Sequence, residues 1–230
     1  MILTIVIPVF NEEATIKEII RRVKKIKIQK EIVVIDDASS DNSFEILSKL
    51  SGIKLLRHNV NLGKGAAVRT GIKKSVGEII LIQDADLEYD PNDYLKLLQP
   101  ILNGEASIVY GTRLKNYPVK IFGKKHTPFL THYFGNKLLS FATRILYSNN
   151  LTDMETGYKV FRKDVLKNIK LESNRFEFEP EITAKILKAG YKIYEVPIKV
   201  NPRGYDEGKK ITWKDGFKAI WTLIKYRFIN

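Results

Sequence analysis

Residues 78–104 run EIILIQDADLEYDPNDYLKLLQPILNG, and the change of pattern inside that stretch decides the fold. Ile79 to Ile82 form an unbroken apolar run, as a strand covered on both faces requires. The run ends in Asp84, Asp86, Glu88 and Asp90, acids at every second position. Pro91 then opens a segment with helical spacing that reaches about Asn103, proline being well tolerated in a first helical turn. The unit is therefore a strand, an acidic exit and a helix.

The same unit recurs upstream. LTIVIPVF, EIVVIDD and IKLLRH carry strand patterns, while EEATIKEIIRRVKKI, SDNSFEILSKL and GKGAAVRTGIKKS carry helical ones, with Ser40 or Asp41 placed to cap the second helix. ASIVYGTR closes the series as a fifth strand. Alternation of this kind over residues 1–113 predicts an α/β fold with a Rossmann-like, mostly parallel sheet flanked by helices. Such sheets bind ligands at the carboxyl ends of their strands. The exits are Pro8 to Glu12, Asp36 and Asp37, Asn59 to Gly65, Asp84 to Glu88, and Gly111 to Arg113.

Beyond Lys115 the alternation stops. TPFLTHYFGNKLLSFATRIL has an apolar helical face of Phe129, Leu130, Tyr133, Phe134, Leu138, Phe141, Ala142 and Ile145. LTDMETGYKVFRKDVL reads as a polar loop entering a short strand and a helix start, PEITAKILKAGY as a helix and KIYEVPIKV as a strand. TWKDGFKAIWTLIKYRFI reads as a basic amphipathic helix. Residues 1–230 are expected to form one domain, with the regular α/β alternation over residues 1–113 and an elaboration ending in an amphipathic helix over residues 114–230.

The chain has 230 residues, 44% of them hydrophobic, enough for a full core. It has no cysteine, which excludes disulfides, zinc–thiolate sites and cysteine nucleophiles. A cytoplasmic setting follows as an expectation, and no stretch approaches the roughly 18 apolar residues of a membrane span. The net charge is +13, and no acid stands between Glu105 and Asp153, where Arg113, Lys115, Lys120, Lys124, Lys125, Lys137 and Arg144 all fall. Such a one-sign field suits a polyanionic partner. Nucleic acid is not expected, because no zinc, helix-turn-helix or base-stacking motif accompanies the charge. Peripheral contact with an anionic membrane is the expectation, set against the alternative that the two amphipathic helices pack on the core.

At the strand exits, Asp84 and Asp86 can point to one side, where like charges raise each other's pKa unless a cation compensates. Hard ions such as Mg2+ or Mn2+ take carboxylate oxygens and complete their shells with substrate phosphates. Asp90 and Asp93 suit the start of the helix opened by Pro91. Gly63 and Gly65 flank Lys64 ahead of a helix; they form either a plain tight turn or a basic group at phosphate height. Arg113 is a candidate phosphate clamp. Together these groups point to a nucleotide-diphosphate substrate.

TIVIPVFNEE, VVIDDASSDNS, HNVNLGKGAAVRTG and ILIQDADLEYDP, in this order, resemble the inverting family 2 glycosyltransferases with a GT-A fold. YGTR, LTDMETGYKVFR, FEFEPEITAKILKAGYKIYEVPI and GKKITWKDGFKAIWTLIKYRF extend the resemblance to the branch that transfers a hexose from a nucleotide sugar to dolichyl or another polyprenyl phosphate. The resemblance implies that Pro8, Phe10, Glu12 and Asp37 line the nucleoside pocket, with Asp84 beside the nucleotide. It gives the main metal contact to Asp86 in DAD and a further metal contact to Glu88, which stands where mannosyl members often carry glutamine. Arg113, Arg203 and Lys209 would hold phosphate, Glu179 would sit by the sugar, and Asp153, Thr156, Gly157 and Lys159 would line the acceptor side.

The implied donors are GDP-mannose or UDP-glucose. A phosphate acceptor attacks without a base, whereas a saccharide hydroxyl, the alternative acceptor, requires Glu179 or Asp153 as base. Either nucleophile inverts the anomeric centre by direct attack. A non-catalytic nucleotide-sugar or membrane-binding module stands as the second alternative.

Overall fold

The computed structural model describes residues 2–113, 130–201 and 213–229. The first half builds β1 (Leu3–Val9), α1 (Ile16–Lys25), β2 (Lys30–Asp36), α2 (Ser43–Ser48), β3 (Lys54–Arg57), α3 (Lys64–Lys74), β4 (Ile79–Ile82), α4 (Tyr94–Leu102) and β5 (Ile108–Thr112). The second half adds α5 (Leu130–Tyr147), β6 (Lys159–Arg162), α6 (Lys163–Lys167), α7 (Phe178–Lys188), β7 (Tyr194–Pro197) and α8 (Trp213–Phe228). The helix expected at Pro91 begins as a 3-10 turn, Pro91–Asp93, whose first free amide, that of Asn92, is capped by Asp90. None of the described helices is long and apolar enough to cross a membrane.

The strands join in one seven-stranded sheet in the order β3-β2-β1-β4-β6-β5-β7. Period-two side-chain alternation explains the layers. In β1, Ile5, Ile7 and Val9 face α1, α2 and α4, while Val6 faces the layer that holds α3, α5, α7 and α8. Both faces are covered, so β1 and β4 read as continuous apolar runs. The architecture is the expected mostly parallel α/β sheet of GT-A type, with one refinement. β6 runs antiparallel to both β4 and β5. A four-residue run such as KVFR carries no directional signal, and the chain's route through α5 sets its direction.

That reversal positions the site. An antiparallel strand starts at the sheet edge where its parallel neighbours end. The loop leading into β6, residues 148–158, therefore lies at the carboxyl edge beside the exits of β4 and β5.

Candidate active site

Among the described residues, three of the four non-glycine residues in the left-handed region, Asn11, Ala38 and Leu87, lie in the exits of β1, β2 and β4. Ala and Leu have no side-chain polar group to offset that conformation, which costs about 1–3 kcal/mol per residue and concentrates at functional sites. Side-chain bonds hold the exits in place. Asn11 Oδ1 accepts Ser40 N at 2.8 Å, and Ser43 Oγ accepts Glu12 N at 2.8 Å. Pro8 and Phe10 are half-buried at this edge, and the Glu12 carboxylate accepts the Thr15 hydroxyl at 3.0 Å.

Asp37 is buried and organises the next loop. Its carboxylate accepts Leu62 N at 3.0 Å and Gly63 N at 2.7 Å and pairs with His58 Nδ1 at 2.6 Å. Gly63, at φ 99°, occupies backbone space that side chains rarely enter, and a Cβ on Gly63 or Gly65 would collide with the carbonyls of Asn174 or Ser173. The two glycines thus admit the segment that begins α7. Lys64 between them lies 2.8 Å from Asp84 Oδ1 and 3.0 Å from Glu179 Oε1. Burial alone would lower the Lys64 pKa, but Asp84 and Glu179 outweigh it and hold the ammonium well above its usual range.

Asp84 is set from below by Gln83, whose amide donates to the Asp84 carbonyl at 2.9 Å while its Oε1 accepts the hydroxyls of Tyr94 and Tyr158. Asp86 Oδ1 accepts Glu88 N at 3.1 Å across the turn at Leu87. The acids of this run separate as their positions suggest. Asp84, Asp86 and Glu88 stay at the strand exit, whereas Asp90 caps the 3-10 turn and Asp93 binds Lys96. Glu88 O also accepts Asn201 N at 2.9 Å, which brings that segment to the acidic turn. Arg203, Lys209, and the basic residues Lys115, Lys120, Lys124 and Lys125 lie outside the described residues.

On the side expected to take the acceptor, Arg113 grips Asp153 with two bonds of 2.7 Å, and its backbone N–H donates to the same carboxylate at 2.9 Å. Burial again opposes the charge, and Asp153 again wins, holding the guanidinium pKa well up. Lys159, fully buried, donates to the carbonyls of Met154 and Thr156 and pairs with Glu179. Gly157 N donates to Tyr89 Oη at 2.9 Å, and a Cβ on Gly157 would overlap Asp84 Oδ2. The β6 loop thus lies directly on the acidic turn.

Glu155 belongs to this side and escaped the sequence reading. Burial, then the charge of Glu179, push its carboxyl up to about 7. The available signal was an acid two places after Asp153 in a polar loop, which is weak because loops commonly carry acids.

Among the described residues no three His, Cys, Asp or Glu side chains come together closely enough to hold a metal unaided. The donor set nevertheless suits a hard divalent ion. Asp84 already accepts a cation, the Lys64 ammonium, and Asp84, Asp86 and Glu88 supply oxygens that substrate phosphates would complete.

A model described as glycosyl transferase family 2 matches residues 4–170. The UDP-N-acetylglucosamine--dolichyl-phosphate N-acetylglucosaminyltransferase of Methanococcus voltae is 32% identical over 96% of this chain and 94% of its own length. The dolichol-phosphate mannosyltransferase of Pyrococcus furiosus is 28% identical over 98% of this chain and 64% of its own. Glucosyl-3-phosphoglycerate synthase from Mycobacterium tuberculosis, in its crystal structure with Mn2+, uridine diphosphate and phosphoglyceric acid, shares the fold. Its TM-score is 0.74 at 19% identity, covering 99% of this chain and 79% of that one.

These likenesses part at the acceptor and overturn the expected hexose transfer to dolichyl or polyprenyl phosphate. The Methanococcus and Pyrococcus proteins are named for dolichyl or dolichol phosphate, whereas the Mycobacterium enzyme of the same fold was solved with phosphoglyceric acid, so the two lines disagree on the acceptor. Local chemistry runs the same way, because Lys64, Arg113 and Lys159 are each already joined to a carboxylate. The match over residues 4–170, together with 32% identity along nearly the whole chain, shows that the protein belongs to glycosyl transferase family 2 and is related to dolichyl-phosphate sugar transferases of archaea.

Proposed function

We propose that the protein transfers a sugar from a nucleotide-diphosphate donor to a hydroxyl acceptor by single displacement, with inversion and with Mg2+ or Mn2+. The observation that carries this reading is the acidic acceptor side. Asp153, Glu155, Glu179 and Glu195 stand there, and each described cation beside them is committed to one of these acids or to Asp84. A phosphate acceptor would meet unneutralised carboxylate. A hydroxyl acceptor needs a carboxylate to take its proton.

On this proposal residues 1–113 are the donor half and residues 114–230 the acceptor half of one GT-A unit. Pro8, Phe10, Glu12 and Asp37 serve the nucleoside, and Asp86, with Asp84 and Glu88, holds the ion. When bound, the ion neutralises charge developing on the departing diphosphate. Lys64 and Arg113 keep the two walls of the site in register, and Arg203 and Lys209 add positive charge toward the donor phosphates. Relatives named for UDP-linked and dolichol-linked sugar transfer make UDP-glucose, UDP-N-acetylglucosamine and GDP-mannose the donors to try.

The test crosses those three donors with octyl glucoside, octyl mannoside and dodecyl phosphate, read by mass spectrometry and by the anomeric coupling in proton NMR. Transfer to an octyl glycoside with inverted configuration is expected. Asp86→Ala should lose at least about a hundredfold in rate, the several kcal/mol a Lewis-acid ion supplies. Transfer confined to dodecyl phosphate overturns the acceptor reading, and an unchanged Asp86→Ala rate overturns the metal assignment.

Peripheral contact with an anionic membrane is favoured by a separate observation. α8 buries Ala219, Leu223 and Tyr226 but exposes Phe217, Trp221, Ile224 and Phe228 in one stripe beside Lys218 and Lys225. α5 likewise exposes Leu138, Phe141 and Ile145 beside Lys137 and Arg144. The core therefore takes one face of each helix and leaves a second apolar face outside, as interfacial helices require.

A further inference from the structure

We propose that Glu155 is the general base that receives the acceptor's proton, an assignment that rests on the hydroxyl-acceptor reading above. Both residues assigned that duty from the sequence are occupied. Asp153 is held on both oxygens by Arg113, and Glu179 lies between the ammoniums of Lys64 and Lys159. A carboxylate so neutralised is a poor proton acceptor. Glu195, the remaining acid of this wall, spends its oxygens on the Thr152 and Asp153 amides.

Glu155 differs from Asp153 and Glu195 in its bonding and from Glu179 in its charge. Among the described residues its Oε1 is sealed from solvent without a hydrogen-bond partner, and so is the hydroxyl of the next residue, Thr156, whose side chain is fully buried; the Glu179 oxygens, likewise without hydrogen bonds, face two ammoniums instead. Native proteins seldom leave such atoms unsatisfied, and two in succession mark a place where a further polar group is received. Position supports the same conclusion. Gly157 rests on Asp84 Oδ2, and two residues of chain span at most about 7 Å, so Glu155 stands close to the acidic turn.

Among the described residues, the charges that act most on Glu155 are Glu179 on α7, Lys159 on β6, Arg113 after β5 and Asp153 on its own loop. Burial and the two acids outweigh the two cations, so the carboxyl titrates at about 7, where a general base is most effective. In the step itself, the acceptor O–H bond breaks and its proton passes to the Glu155 carboxylate. The oxygen's electron pair forms the new bond to the anomeric carbon. The bond from that carbon to the donor phosphate oxygen breaks, and its electron pair leaves with the nucleoside diphosphate. No oxidant or reductant is required.

The decisive variant is Glu155→Gln, assayed with the octyl glycoside and donor that the wild-type protein uses. The rate should fall by about 10²–10⁴-fold, the usual contribution of a positioned base. The wild-type rise in kcat through about pH 7 should vanish with it, while uridine diphosphate or guanosine diphosphate binds with Mn2+ as before by calorimetry. Glu155→Asp should keep the pH limb at reduced rate, which covers the case in which the glutamine variant folds poorly. A Glu155→Gln rate within about threefold of wild type, or a retained limb, overturns the assignment while leaving the transferase reading intact. Failure of the wild-type protein to use either octyl glycoside overturns the acceptor reading, and the base assignment falls with it.

Discussion

Asp153 carries no exposed surface and holds Arg113 through both carboxylate oxygens, with the Arg113 amide as a third donor. Removing the acid leaves a mostly buried guanidinium without its counter-charge. Breaking such a pair from one side costs about 3–5 kcal/mol. Asp153→Asn is therefore expected to lower unfolding free energy by about that amount in urea titrations, an effect far beyond the 0–1 kcal/mol of an exposed ion pair. A loss under 1 kcal/mol would show that Arg113 finds another partner. The contrast with Glu155 explains what was legible at this scale. Asp84 and Asp86 announced themselves because their environment, a strand exit, is encoded by the residues beside them. The difference between Asp153 and Glu155 depends on Arg113, Lys159 and Glu179, partners that the fold gathers from separate elements.

Elements were read more completely than residues, because a strand or helix is defined by periodicity over its own length. Among the described residues every stretch assigned as a strand or helix has its counterpart, and the GKG turn shows where the limit lies. Gly63 and Gly65 were weighed as a turn or a phosphate cradle; their immediate contact is with Asn174, Ser173 and Arg175, a helix approach that no local pattern encodes. Gly71 makes the same point inside α3. A Cβ there would strike Val6 Cγ1 and Ile35 Cδ1, so the helix lies flush on β1 and β2. Gly71→Ala sets a helix-propensity gain of about 1 kcal/mol against an overpacking cost of about 1–3 kcal/mol. The melting temperature should fall. A rise would mean that α3 can lift from the sheet at little cost. The direction of β6 is the corresponding blind spot in the sheet, and it matters more, since it brings Gly157 and Glu155 to the edge where β4 ends.

For the whole molecule, the net charge of +13 and the exposed apolar stripes of α5 and α8 make separable predictions. Each basic side chain near an anionic leaflet contributes about 1 kcal/mol, a term that salt screens. Burying one large exposed side chain contributes about 1.5–3 kcal/mol, largely indifferent to salt. Phe217 and Trp221, 68% and 67% exposed on successive turns of α8, are the residues through which the second term would act. Wild-type protein should sediment with vesicles of phosphatidylserine and phosphatidylcholine at low salt. Phe217→Ser with Trp221→Ser should weaken that binding by at least about tenfold at every salt concentration. If the double variant pellets as wild type does and moderate salt releases both, charge alone carries the contact and the α8 stripe has no part in it. If neither pellets, and analytical sedimentation instead finds a dimer that the double variant abolishes, the stripe is covered by a second copy of the chain and the peripheral-membrane reading falls.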